Sequence, residues 1–496
     1  SRGLGDVYKR QGKATAKHAV SDWMEIEKER GISVTSSVLQ FEYDGFCINI
    51  LDTPGHQDFS EDTYRTLMAA DSAVMVIDAS KGVEAQTIKL FKVCVMRHIP
   101  IFTFINKMDR DARDTFELLD DIETVLGIKT CPVNWPIGSG KEFKGVYDRK
   151  TKIVSTFQAI STGGAKKAEE TDYHIDDEAL KELVGPYLFD QFNEEIELID
   201  GATEEMDIEK VRAGELSPVF FGSALNTFGI EQFLNYFLKM TTPPIGRNSS
   251  EGIIDPVTEP FSAFVFKIQA NMNKAHRDRI AFMRICSGKF EAGMEVYHAA
   301  SKRKIKLSQP QQLMAQDRKI VDEAYAGDVI GVFDPDLFSI GDTLTTGGKK
   351  FEYEGIPTFA PEHFCRVVQL NSMKRKQFVK GVTQIAQEGA IQIFQEYTAG
   401  LSEIIVGVVG VLQFDVLKYR LENEYGCEIR LEPIPYNYIR WVKDPTIDVT
   451  KLKRVSDVKK VKDMKGNPLL LFANEWVIDQ VLQHNEGLEL EEFRKN

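Results

Sequence analysis

The sequence predicts three regions in series: a doubly wound α/β region, a small β-barrel and an α+β region. Apolar strands alternate with helical patterns over residues 41–131, and short strands punctuated by glycine fill residues 260–347. Strands and helices then mix over residues 364–440. The length of 496 residues agrees with three domains, since one domain takes roughly 150 residues.

The α/β region is predicted from short apolar runs at residues 46–51, 73–78 and 101–105. Such runs are typical of strands that are buried on both faces of a parallel sheet. Helical patterns occupy residues 84–96 and 114–126. We therefore expect a ligand at the carboxyl ends of these strands.

The later regions are separated by changes in composition. A strand at residues 218–222 follows a polar, acidic segment that we interpret as an insertion, and residues 241–250 have the Pro, Ser and Thr content of a linker. We place the domains, after an unmatched segment at 1–11, at residues 12–243 (with the insertion at about 150–215), 255–350 for the barrel and 358–496 for the α+β domain.

Composition excludes several classes of protein. The chain has 61 basic and 75 acidic residues, a net charge of -14, which argues against a DNA-coating protein but permits local basic patches. Six cysteines without a CxxC pair disfavour a disulfide framework or a zinc site and indicate a reducing cytoplasm. We find no signal peptide and no apolar run near the roughly 20 residues of a membrane span, so we expect no membrane partner.

A first motif follows the strand at 46–51. In Asp52-Thr53-Pro54-Gly55 the Asp can hold Mg²⁺ through water, and the Gly leaves room for its N–H to meet a γ-phosphate. His56 can position the attacking water for hydrolysis. Alone, the tetrapeptide is a weak signal, and a lone histidine is more often a surface or core residue.

A second motif, Asn106-Lys107-Met108-Asp109, follows the strand at 101–105. The Asp carboxylate can accept two hydrogen bonds from one edge of guanine, whereas adenine lacks that pair of donors. A third motif follows the strand at 218–222, where backbone N–H groups near Ser223 and Ala224 can donate to guanine O6. The ordered set predicts a site for GTP or GDP with Mg²⁺.

Two upstream features bear on this prediction. Ser33 or Thr35 could ligate magnesium from a mobile loop, although the spacing alone favours a polar strand start. A phosphate loop, G-x-x-x-x-G-K-[ST], should precede these motifs. Its nearest match is at residues 12–14, where Ala14 replaces the hydroxyl residue and Val7 replaces the first Gly.

At this point the chain closely resembles the bacterial peptide chain release factor 3 family of translational GTPases, from about residue 12 to the C-terminus. Five segments carry the resemblance: residues 21–37, 51–65, 264–273, 276–284 and 408–416. It implies a P-loop-type α/β GTPase domain, a β-barrel and a ferredoxin-like α+β domain. Members use GTP on the ribosome to help remove class I release factors after peptide hydrolysis.

The resemblance also implies roles for individual residues. His56 falls on the catalytic histidine, Asp52 and Ser33 on the magnesium ligands, and Gly55 on the γ-phosphate contact. Asn106, Lys107 and Asp109 fall on the guanine motif, with Ser223 and Ala224 beside the base. Residues 1–11 resemble nothing in the family, and we interpret them as a foreign junction that replaces the phosphate loop. We therefore expect this polypeptide to bind GTP poorly or not at all.

Alternatives remain open. An elongation-factor-G-like translocase or ribosomal protection GTPase would need further domains, for which the residues after 440 are too few, and a two-barrel factor would lack the α+β pattern. A non-catalytic ribosome-binding module is the rival from another class. Basic runs at 302–306, 374–376 and 451–465 could contact ribosomal RNA, or each could be a solvated face. We expect a monomer.

Overall fold

The computed structural model describes residues 27, 33–158, 169–270, 279–307, 311–314, 317–320, 322–356, 358–397, 400–453 and 456–492. The chain divides into two compact units. The first holds Ile50–Gly55 and Ala70–Ile245, and the second holds the described residues of Met24–Asn49, His56–Ala69 and Gly246–Asn496. The predicted segment at 1–11 and the near match to a phosphate loop at 12–14 lie outside the described residues. The three predicted domain boundaries stay predictions.

The regular elements up to residue 132 are β1 (Ser37–Tyr43), β2 (Phe46–Asp52), α1 (Ser60–Leu67), β3 (Ala73–Asp78), α2 (Ala85–Met96), β4 (Ile101–Asn106), α3 (Thr115–Leu126) and β5 (Lys129–Pro132). Those from 133 to 245 are β6 (Asn134–Ile137), β7 (Gly145–Asp148), β8 (Ile153–Gln158), β9 (Glu169–His174), α4 (Glu178–Val184), α5 (Pro186–Ala202), α6 (Ile208–Arg212), β10 (Leu216–Phe221) and α7 (Ile230–Met240).

The first unit is built on a four-stranded parallel sheet in the order β3-β4-β10-β5. Parallel neighbours need crossover connections, and α2 supplies the one between β3 and β4. Strand β10 is buried throughout, and its Phe220 packs edge to face on Phe233 of α7, with ring centroids 5.1 Å apart. Because these strands are parallel, the loops after β3, β4 and β10 leave from the same edge of the sheet.

The predicted insertion contributes β8 and β9 to a separate sheet within the first unit, and the other two strands of that sheet, β6 and β7, lie before residue 150. Strands β6 to β9 pair in sequence as an antiparallel meander. Helix α5 begins with Pro186 at its first turn, where the missing N–H costs nothing, and its buried side chains include Phe192 and Ile199. Residues 159–168 of the insertion lie outside the described residues.

The prediction that residues 46–51 form a strand of the parallel sheet is wrong. Strand β2 pairs with β1 in a two-stranded sheet, and its residues are partly exposed, with 51% of Phe46 accessible. A two-stranded ribbon cannot cover both of its faces, so an apolar run alone does not establish a buried central strand.

The barrel region of the second unit contains β11 (Arg247–Ser249), β12 (Gly252–Ile254), β13 (Ser262–Ala270), β14 (Arg279–Ser287), β15 (Lys289–Glu291), β16 (Glu295–His298), β17 (Arg303–Lys306), β18 (Gln311–Met314), β19 (Asp317–Ile320), β20 (Glu323–Tyr325), β21 (Val329–Phe333) and β22 (Thr343–Thr345). Eight of these strands form one antiparallel sheet in the order β17-β16-β22-β13-β14-β21-β18-β19. The long strands β13 and β14 are buried throughout and supply much of the core.

The α+β region contains β23 (His363–Gln369), α8 (Arg375–Gln387), β24 (Gln392–Glu396), β25 (Gly400–Val408), α9 (Leu412–Asn423), β26 (Ile429–Pro433), β27 (Tyr438–Val442), β28 (Val458–Lys462), β29 (Pro468–Phe472), α10 (Glu475–His484) and β30 (Leu490–Glu491). Its first half runs β-α-β-β-α-β with strand order β26-β23-β25-β24, the arrangement of a ferredoxin-like fold. Strands β28, β29, β27 and β30 extend the same sheet. The predicted fold class is confirmed.

Within the part of the chain that is described, no helix has both the length and the apolar character that a bilayer crossing requires.

Candidate functional site

The first unit brings the second and third predicted motifs together at one edge of the parallel sheet. The side-chain oxygen of Asn106 accepts hydrogen bonds from the backbone N–H of Lys107 at 2.8 Å and from that of Ala224 at 2.9 Å. The carbonyl of Gly222 accepts a bond from the N–H of Met108 at 3.2 Å. Asn106 therefore ties the loop after β4 to the loop after β10.

Asp109 is held in this arrangement by a residue that the sequence reasoning missed. The amide nitrogen of Asn226 donates to Asp109 Oδ2 at 3.2 Å and to Ser223 Oγ at 2.8 Å. This fixes the direction of the half-buried carboxylate and keeps lone pairs available on it. A carboxylate that only accepts hydrogen bonds fits the two donors on one edge of guanine.

Lys107 combines an unusual backbone conformation with a side-chain contact to a neighbouring carboxylate. Its φ is 72°, in the left-handed region that few non-glycine residues adopt, and its ammonium bonds to Asp78 Oδ2 at 2.5 Å. Burial alone would raise the pKa of Asp78, but hydrogen bonds from Lys107 and Ser80 lower that pKa to about 2. The position of Asp78 at the end of β3 is the sequence signal that could have identified it.

A buried asparagine, Asn134, holds the end of β10 from which the following loop leaves. Asn134, which is fully buried, accepts from the N–H of Phe221 at 2.7 Å and donates to the carbonyl of the same residue at 3.2 Å. Gly222 follows directly, and a Cβ there would lie 2.5 Å from the carbonyl oxygen of Phe228 and 2.9 Å from a ring atom of Phe104. Only glycine therefore fits this turn. No local pattern in the sequence marks Asn134 for this role.

The first motif also lies in the first unit, directly after β2. Asp52 and Thr53 are partly buried, Pro54 is buried and Gly55 is exposed. Nothing in the described structure lies within 4 Å of a Cβ placed on Gly55, so the space that a phosphate oxygen would need beside its N–H is open. The loop therefore leaves room for a phosphate oxygen beside the N–H of Gly55.

His56 belongs to the second unit, where it precedes the 3₁₀ turn Gln57–Phe59. Its Nδ1 accepts from the N–H of Asp58 at 3.2 Å, and 40% of the side chain is exposed. With Nδ1 as acceptor, the proton of the neutral ring lies on Nε2. In this arrangement the ring can orient a water by donating a hydrogen bond from Nε2.

Ser33 lies in the second unit as well and is partly buried. The hydroxyl of Ser33 and the carboxylate of Asp52, taken separately, are each an oxygen ligand of the kind that Mg²⁺ prefers. Among the described residues, no group of three or more His, Cys, Asp or Glu side chains could hold a metal. The magnesium assignment stays a prediction, as do the roles of the other site residues.

Comparisons with known proteins agree along the chain. Three family models match: the elongation factor Tu GTP binding domain over residues 2–243, elongation factor G domain 2 over 260–347, and the C-terminal domain of class II release factor RF3 over 353–482. The peptide chain release factor 3 of Symbiobacterium thermophilum is 55% identical over 478 residues, which covers 96% of this chain and 90% of that protein. The chain belongs to the peptide chain release factor 3 family.

Other members of the release factor 3 family match at similar levels. The protein of Gloeothece citriformis is 51% identical over 474 residues, covering 96% of this chain and 87% of its own length. This release factor 3 family member is therefore a GTP-binding protein of translation termination and, by family, a GTPase.

A solved structure supports the fold. A crystal structure of a Thermus thermophilus protein aligns with a TM-score of 0.69 at 21% identity, covering 88% of this chain and 66% of that chain. At this level of identity the likeness concerns the fold alone.

Proposed function

We propose that this chain is a ribosome-dependent GTPase that promotes the release of class I release factors from the ribosome after peptide hydrolysis. The observation that carries the proposal is the joining of two loops by Asn106, with Asp109 aimed by Asn226. That arrangement suits guanine and not adenine, because adenine offers no pair of donors to the half-buried carboxylate of Asp109. Asp52 and Ser33 would hold Mg²⁺, Gly55 would contact the γ-phosphate, and His56 would orient the attacking water.

The setting of this activity is part of the same proposal. The partners would be ribosomal RNA and proteins together with class I release factors, and the protein would act in the cytoplasm as a monomer. Membership of the release factor 3 family supports this setting over that of a translocase or a ribosomal protection protein. The basic runs at 302–306, 374–376 and 451–465 remain candidate RNA contacts, with residues 454–455 outside the described residues.

Hydrolysis of GTP with and without ribosomes tests the enzyme proposal directly. Stimulated turnover, together with loss of a class I release factor from post-termination ribosomes, would support it. Ribosome binding without turnover would support the non-catalytic module instead. The expectation that this polypeptide binds GTP poorly is tested separately by calorimetry, where micromolar affinity would overturn it.

The guanine contact can be tested by Asp109→Asn. An amide cannot accept both hydrogen bonds from guanine, and each bond to a charged group contributes about 1.5–3 kcal/mol. GTP affinity should therefore fall by roughly 100-fold or more, or the GTP concentration needed for half-maximal turnover should rise by the same factor. Xanthosine triphosphate should recover much of the loss, because its base offers an acceptor where guanine offers the amine. The exposed Asp120 of α3 is the matched control, and an equal effect of Asp120→Asn would contradict the assignment.

A further inference from the structure

The described part of the barrel contains a lysine inside a buried, mostly apolar strand. Lys267 lies in β13, whose nine residues are all buried, and 5% of its side chain is exposed. Burial lowers the pKa of this lysine, while the carboxylate of Asp62 acts in the opposite direction. An ammonium in such a position is costly unless its donors and its charge are satisfied.

Three acceptors from two consecutive residues meet the ammonium of Lys267. They are Thr35 Oγ1 at 2.6 Å, Ser36 Oγ at 3.0 Å and the carbonyl oxygen of Ser36. A lysine ammonium has three donors, so the segment at residues 35–36 can use all of them. The countercharge is Asp62 of α1, whose Oδ2 lies 3.9 Å away.

Each polar group of Ser36 forms a hydrogen bond. Its N–H donates to Asp62 at 2.5 Å, its carbonyl and hydroxyl accept from Lys267, and its hydroxyl also accepts from Thr66 at 2.9 Å. Ser36 and Thr66 are each 1% exposed. The segment that follows Ser33 is therefore locked to helix α1 and to the barrel in one buried cluster.

The buried cluster around Lys267 and Ser36 includes two segments that lie close in the chain to candidate site residues. Ser33, the candidate magnesium ligand, comes three residues before Ser36, and α1 begins shortly after His56. We propose that Lys267 is a positioning residue, which holds the 33–36 segment and helix α1 in the single arrangement that GTP hydrolysis requires. This inference rests on the proposed function for its catalytic consequence, although the holding itself is a property of the chain alone.

Lys267→Met tests the holding without any nucleotide. It removes three hydrogen bonds and the positive charge that faces Asp62. Amide hydrogen exchange in a peptide spanning 34–43 should therefore become about 10- to 100-fold faster. A peptide from β21 reports on the barrel itself and should keep its rate. Lys289→Met, a partly exposed barrel lysine paired with Glu323 at 2.6 Å, is the matched control and should leave both peptides unchanged.

Two more conservative variants keep the proposal testable if Lys267→Met does not fold. Lys267→Arg keeps the charge, and a neighbouring cavity of about 50 Å³ gives room for the larger head, so it should restore most of the protection. Ser36→Ala removes one acceptor atom, the hydroxyl oxygen that accepts from Lys267 and Thr66, and keeps the carbonyl, so it should accelerate exchange by about 3- to 10-fold. Unchanged exchange of the 34–43 peptide in Lys267→Met, or in Ser36→Ala if the first variant does not fold, would overturn the proposal.

Turnover separates a positioning role from a merely structural one, because replacing a lysine with only a structural role would leave kcat unchanged. Ribosome-stimulated kcat should fall by about tenfold or more in Lys267→Met, with KM for GTP changed by less than about threefold, because misplaced groups act on the reaction more than on binding. Faster exchange with unchanged kcat would refute the positioning role. A parent chain that shows no ribosome-stimulated turnover would refute the proposed function instead, and the exchange result would then decide the inference.

Discussion

The replacement of Gly410 by alanine is the sharpest test of how the α+β region is attached to the residues around His56. A Cβ on Gly410 would lie closer than 3.0 Å to Asp58, against its Cα, Cβ and Cγ alike. Because carbon atoms pack at about 3.5–4.0 Å, a gap of about 1 Å must open between the two segments. The near neighbours include backbone, so the clash cannot be relieved by rotating a side chain.

The cost follows from two contacts. Overpacking of this kind costs about 1–3 kcal/mol. The shift also strains the bond from the N–H of Leu412 to Asp58 Oδ2, now 2.8 Å long, and a bond to a charged group contributes about 1.5–3 kcal/mol. We expect a loss of about 3–5 kcal/mol in the local free energy of opening, which corresponds to a fall of at least about 100-fold in amide protection.

Hydrogen exchange of peptides from α1 and α9 measures this loss locally, so two-state unfolding of a long chain need not be assumed. Ribosome-stimulated hydrolysis should fall as well, because the N–H of Asp58 orients the ring of His56. Gly201→Ala is the matched control, since nothing described lies within 4 Å of a Cβ there. If α1 and α9 keep protection within about twofold of the parent in Gly410→Ala, the reasoning is refuted.

Two further predictions concern buried charges. Arg420 forms ion pairs with Glu388 at 2.7 and 3.0 Å and with Glu424 at 2.9 and 3.0 Å, so Arg420→Met should cost about 3–5 kcal/mol in the free energy of unfolding. The double variant with Glu388→Met should recover part of it, because the carboxylate of Glu424 still loses its bonds from Arg420. A urea-denaturation cycle in which the double variant is as unstable as the single one would contradict this. Asp78→Asn should destabilise the first unit at pH 7, and its difference from the parent should shrink as pH falls below about 4 and vanish near pH 2. The reason is that the pKa of Asp78 is lowered in the folded state, so its contribution is present above the unfolded-state pKa and is lost on protonation. A difference that stays constant between pH 7 and pH 3 in urea denaturation would contradict the assignment.

Much of the fold can be predicted from the sequence because buried strands leave strong local patterns. The apolar runs at 73–78 and 329–333 coincide with Ala73–Asp78 and Val329–Phe333. The helix predicted at 114–126 is found as Thr115–Leu126, with Asp114 as its N-cap and Gly127 in the left-handed conformation at its end. The run at 46–51 shows the limit, because an apolar pattern does not reveal how many neighbours a strand has.

The meeting of Asn106 with Ala224 follows from the sequence for a physical reason. Parallel strands that begin on the same side of a sheet must end on the same side, so loops far apart in the chain converge. The residues that support this site are harder to predict. Asn134 and Asn226 act through a few long-range or loop hydrogen bonds, which leave no periodic pattern in the sequence. Lys267 is an intermediate case. A charge inside a mostly apolar strand stands out in the sequence, but its partners at residues 35–36 cannot be read from it.

Helix α1 shows how these contacts combine. The arginines Arg247 and Arg284 donate to the two backbone carbonyls that follow its C-terminal end, at 2.8 and 2.9 Å, where positive charge also complements the helix dipole. Asp58 before its N-terminal end accepts from the first residue of α9. A short helix held at both ends moves as a rigid body or not at all. Displacement of α9 must therefore either break the Asp58 contact or carry His56 with it. Because Gly410→Ala and Lys267→Met both loosen this one helix, their effects on turnover should be less than additive.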